Sequence, residues 1–128
     1  MEPISILLLV KIVGTLIPVA LPLLFLPIAT VNRLSGFEAS DPVLYRLYGM
    51  AVLALLVGYA GGYFQVQDGT FPVGVVAMGF VSNAGACAVL LLTGRGFKAP
   101  WEPAFFGLIA LGLAASFSFR EQSMTPLW

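Results

Sequence analysis

A handful of polar residues sit where an apolar chain has no cheap use for them, and their types limit the chemistry. Lys11 interrupts a long apolar run near the amino end. Ser82 and Asn83 lie at the middle of another, and Tyr59 and Tyr63 fall in the last turns of a third. A lysine inside an apolar helix is costly, and such charges mark functional sites by default. On that reading Lys11 is a partly buried cation facing a cavity, and an anionic headgroup or substrate supplies its counter-charge. The plainer reading is a stem that snorkels to the headgroups near the amino end. Its expected neighbours are Tyr59, Tyr63 and Gln65, the start of the third run, and Ser116 and Ser118 of the fourth; no acidic residue lies at its depth.

Buried polar side chains such as Ser82 and Asn83 hydrogen-bond across helices, worth about 0.6 kcal/mol on average. Backbone carbonyls opened by Pro18 or Pro22 are candidate partners. A broken helix beside a central amide is also how some transporters build a midplane binding site. The same geometry serves plain packing. Arg46 and Glu102 are expected at one level, as an ion pair tying two helices together and worth about 0–1 kcal/mol in the headgroup region.

Other chemistry is excluded. There is no histidine, so histidine-ligated metal, bis-histidine haem and a histidine general base all fall away. The single cysteine, Cys87, lies in an apolar run and reads as a buried structural residue. No phosphate-cradling glycine loop, Cys-x-x-Cys or paired intramembrane carboxylates occur. No catalytic role, cofactor or metal site is expected. Six basic residues against six acidic ones leave no basic patch for nucleic acid.

The elements that must hold these residues follow from composition. Of 128 residues, 59% are hydrophobic and 9% charged, where soluble domains carry about 25% charged residues. The solvent that suits such a chain is a bilayer. The expected architecture is all-α: a polytopic membrane protein, a four-transmembrane-helix bundle with short loops, forming one domain over 1–128. The helices are expected at about 4–26, 43–64, 72–93 and 103–119. The first lacks the basic n-region of a signal peptide and reads as a retained span, kinked or broken near Pro18 and Pro22. Lys11, Gly14, Thr15, Pro18 and Pro22 share one face of it, expected to look inward.

Helix-packing residues are read from small side chains. Ala54, Gly58 and Gly62 form a small-xxx-small run that admits a close neighbour. In the third helix, Gly79, Ser82, Asn83 and Ala86 mark one face and Gly74, Gly85 and Ala88 the opposite one. That helix is therefore expected to be the one the others pack around. In the fourth, Phe106, Leu113 and Phe117 form a bulky side expected to face lipid. Ala104, Gly107, Leu111, Ala114 and Ala115 form a smaller side expected to face the bundle.

Basic residues set the expected orientation. Arg33, Arg46, Arg95 and Lys98 fall at one end, Arg120 and Lys11 at the other. This puts the first and third loops in the cytoplasm of a bacterial inner-membrane protein and both termini outside. Two functional expectations follow. One is a protein acting by helix–helix association, as an accessory or assembly subunit of a larger membrane complex or as a homo-oligomer. The alternative is a small transporter or channel protomer, or a lipid- or quinone-binding protein, using a cavity near Lys11 and Asn83.

Overall fold

The computed structural model describes residues 1–95 and 99–128. All regular structure among them is helical, and four helical runs are long and apolar enough to cross a membrane. The first comprises α1 (Pro3–Thr15), a π turn (Leu16–Ala20) and α2 (Leu21–Phe25). A short α3 (Ile28–Ser35) follows. The other long helices are α4 (Val43–Gln67), α5 (Val73–Leu92) and α6 (Trp101–Ser118), and α7 (Arg120–Ser123) is a single turn.

The prolines shape the first run without breaking it. Pro18 has no amide proton for the carbonyl of Gly14, and its ring crowds that carbonyl. The helix widens instead, so that the Leu21 amide donates to Leu16 O across the π turn. The run stops at Leu26, whose ψ of 150° is extended, as a residue before proline prefers. The segment after it forms the helix α3. Gly36, left-handed at φ 73°, ends it.

The long helices associate as two pairs. α1 and α2 lie along α4, and α5 packs along α6 over nearly its whole length. α1 also touches α6. Although α4 and α5 are joined by a tight turn, they meet mainly in the half nearest Asp68. There, Val75 packs on Gly62, Met78 on Gly58, and Tyr59 on Gly79. Toward Arg95 the two pairs separate.

Burial corrects the expected centre of the bundle. The first run is 33% buried over its most apolar stretch and α5 only 17%. Gly79 and Asn83 do face inward, but Gly74, Gly85 and Ala88 are exposed. The expected faces of α6 hold only in part: Phe117 is exposed as expected, but Leu113 and Leu111 exchange places. Leu113 is fully buried, while Leu111 is 68% exposed and Ala104 and Ala115 lie on the surface. The reason is local: Leu113 fills the space above Gly79, where a Cβ would come within 2.8 Å of Leu113 Cδ1. A large side chain opposite a glycine packs as closely as two small ones.

Candidate functional site

The helix register carries Lys11 inward, where it is 95% buried (5% exposed). Its ammonium does not reach back to the amino end. It lies over the rings of Phe106 and Phe105, with Nζ 4.8 and 5.3 Å from their centroids. Those rings stand about one turn inside the opposite end of α6, some 6 Å from its start. The snorkelling expectation is thus corrected, as are the expected neighbours. Gly14, one turn on, leaves room for Phe105, whose Cζ would lie 3.3 Å from a Cβ there. Ring faces are negative and attract an ammonium, but they do not neutralise it. Among the described residues Lys11 has no ion-pair partner. Thr15, on the same face, is also buried, and its hydroxyl has no hydrogen-bond partner among them.

Asn83 is fully buried and donates from Nδ2 to the Tyr59 hydroxyl at 2.9 Å and to Gly79 O at 2.7 Å. The expected link to proline-freed carbonyls is therefore not made. Its Oδ1 has no partner among the described residues. Ser82 is half-buried beside it. Tyr63 is half-buried and stacks edge-on with Phe64. Tyr59 joins the Asn83 network, and the rings under the Lys11 ammonium are those of Phe105 and Phe106 and not of either tyrosine.

Arg46 takes up the carbonyls that the first run leaves open. Pro27 cannot donate to Leu23 O, and Leu26 ends the helix. Arg46 Nη1 donates to Leu23 O at 2.6 Å and Nη2 to Leu26 O at 2.7 Å. The expected Arg46–Glu102 pair is therefore absent. Glu102 pairs instead with Arg95, at 3.4 Å. Arg95 also donates to Ser35 O and lies over the Phe37 ring, 4.7 Å from its centroid. It therefore joins the end of α3 to the start of α6. Lys98, counted with the basic residues of this end, lies outside the described residues.

Between the two helix pairs is a groove of about 550 Å³. Its walls are Pro18, Val19, Pro22 and Leu23 on the first run, Val31 and Leu34 on α3, and Ala86, Val89 and Leu90 on α5. Phe106 of α6 closes the inner side, and Tyr45, Tyr48, Arg95 and Glu102 supply the polar end. Phe106 thus borders both the groove and the Lys11 ammonium. The cavity lies nearer the Arg95 end than the expected site around Lys11 and Asn83.

The packing residues divide in a similar way. Gly58, Gly62 and Gly79 receive neighbouring side chains, whereas Ala54 and Gly85 face outward. Four contributors escape a reading by residue type. Phe105 and Phe106 look like ordinary lipid-facing residues until Lys11 is seen at their level. Arg95 looks like a loop charge. Asn32 also ties the α3–α4 connection, exchanging bonds with Ala39 and accepting from the Tyr45 hydroxyl at 2.5 Å.

No family model, curated protein or solved structure matches this chain. The fold and groove therefore define only a class: an all-helical protein compatible with a membrane, with a mainly apolar cleft between two helix pairs.

Proposed function

We propose that this is an integral membrane protein that binds an amphipathic molecule of the lipid or quinone class in the groove between its helix pairs. The observation that supports this reading is the groove itself, about 550 Å³ with apolar walls and a tyrosine–arginine–glutamate end. Binding sites for such ligands are largely apolar, with a few placed polar groups. The apolar part of the occupant lies against Val19, Leu34, Val89 and Leu90. The proline-widened first run forms one wall, and α3 forms a flap joined to α6 through Arg95. No catalysis is assigned.

The basic residues around this end favour a cytoplasmic position for it in a bacterial inner membrane, with the Asp68 turn and the termini on the other side. Native mass spectrometry of protein extracted from its own membrane in mild detergent tests the reading. A retained lipid- or quinone-sized adduct, lost when Ala86→Trp fills the groove, is expected. Identical spectra for the two proteins refute it.

The second reading is association, as an accessory subunit or a homo-oligomer. It is favoured by the outer face of α4, where Ala51, Ala54 and Gly61 are exposed and a Cβ at Gly61 would meet nothing within 4 Å. Small outward residues let another helix approach closely. A defined complex in the same spectra supports this reading.

A further inference from the structure

We propose that Lys11 is the anchor for an anionic head on the groove's occupant, and that Phe106 is the movable wall between them. This rests on the binding reading above and narrows it to a single-chain amphiphile with a carboxylate or phosphate head.

The charge balance of the two polar ends motivates the assignment. At the mouth of the groove, the Arg95 guanidinium is already paired with Glu102. Farther inside, Lys11 is only 5% exposed, and its ammonium lies over two aromatic faces with no acidic partner among the described residues. A buried ammonium held without a counter-charge is costly in an apolar interior. A carboxylate or phosphate arriving with the ligand removes that cost. Thr15 stands one turn along on the same face, buried, with a hydroxyl that has no partner among the described residues. It offers a donor to a second oxygen of the same head.

The groove lining comes within one turn of Thr15 along the first run. Pro18 and Val19, one turn beyond Thr15, already line the groove. Opposite them, the Phe106 ring borders the groove on one side and stands 4.8 Å from Lys11 Nζ on the other. In this proposal a rotamer change at the half-buried ring opens the way from the groove to Lys11 and Thr15. The chain of the amphiphile then occupies the groove while its head reaches Lys11 and Thr15.

The test is equilibrium binding of radiolabelled oleate to the purified protein in a neutral maltoside detergent, by scintillation proximity. Unlabelled oleate, oleyl alcohol, lysophosphatidate and acetate serve as competitors. Oleyl alcohol keeps the chain without the charge, and acetate keeps the charge without the chain. Oleate is expected to bind and to be displaced about tenfold or more less effectively by oleyl alcohol, because a charge-assisted contact is lost. Acetate is expected not to compete. The relative strength of lysophosphatidate tells a phosphate-headed lipid from a fatty acid. Lys11→Met is expected to weaken oleate by about tenfold or more and to remove the preference over oleyl alcohol. Lys11→Arg is expected to retain the preference.

Equal displacement by oleate and oleyl alcohol in the unaltered protein overturns the Lys11 assignment while leaving the groove reading in place. That comparison needs no variant to fold. Binding of oleate by a folded Lys11→Met protein at undiminished affinity overturns it as well. If neither chain binds at all, the groove reading fails and the anchor with it.

Discussion

The Asn83 amide donates to the Tyr59 hydroxyl at 2.9 Å, and both residues are sealed inside the bundle, 0% and 1% exposed. This bond crosses between the two helix pairs, from α5 to α4, on the Asp68 side of the groove. Removing one partner leaves the other without its bond in an apolar interior. A double-mutant cycle with Tyr59→Phe and Asn83→Leu, measured by reversible denaturation in detergent, should give a coupling of about 0.6–2 kcal/mol. Strict additivity of the two variants contradicts a direct bond.

Gly79 is what lets these pairs close. A Cβ there would stand 2.7 Å from the Tyr59 hydroxyl and 2.8 Å from Leu113 Cδ1. Overpacking of this kind costs about 1–3 kcal/mol, so Gly79→Ala should lower the melting temperature clearly. Gly85 lies on the same helix with nothing within 4 Å of its Cβ position. Gly85→Ala should be neutral or stabilising, by up to about 1 kcal/mol through helix propensity. Equal effects at the two positions contradict the packing described.

Arg46 holds the end of the first run through Leu23 O and Leu26 O. In Arg46→Met both carbonyls lose their partner, at about 1–3 kcal/mol for each that stays dry. Arg46→Lys reaches one of them and should fall between. Thermal unfolding of the three proteins gives this order. A stability unchanged in Arg46→Met would mean that those carbonyls find other donors.

The outward face of α4 separates the two functional readings. Ala54→Leu and Gly61→Leu add bulk where little or nothing of this chain stands. Both variants should keep the monomer fold and any groove-bound adduct. Loss of a higher-order complex on size exclusion, with the adduct retained, assigns that face to association. Loss of the adduct with the complex intact contradicts a groove formed within one chain.

The existence and number of the long helices were readable because apolar runs of this length have few other uses. So was the inward direction of Lys11 and Thr15, one helical turn apart, although Pro18 of the same expected face is exposed. What was hidden depended on which helices become neighbours. Arg46 and Glu102 sit at one level in the sequence reading, but the proline-opened carbonyls of Leu23 and Leu26 and the reach of Arg95 redistribute the partners. Faces defined by side-chain size misled at Leu113 of α6, which fits against Gly79 and turns inward while Phe117 stays exposed. The destination of Lys11 was not readable either. A lysine near a helix start ordinarily leans toward that end, and only the packing of α6 brings the Phe105 and Phe106 rings within reach.

The central claim is that an amphipathic molecule occupies the groove between the helix pairs. Photo-crosslinking with a diazirine-bearing amphiphile in nanodiscs, followed by peptide mapping, tests it most directly. Adducts should concentrate on Val19, Leu34, Tyr48, Leu90 and Phe106, and an excess of unlabelled amphiphile should suppress them. Adducts spread evenly over the outer faces, on residues such as Val57, Val81 and Leu108, and unaffected by competitor, would contradict it.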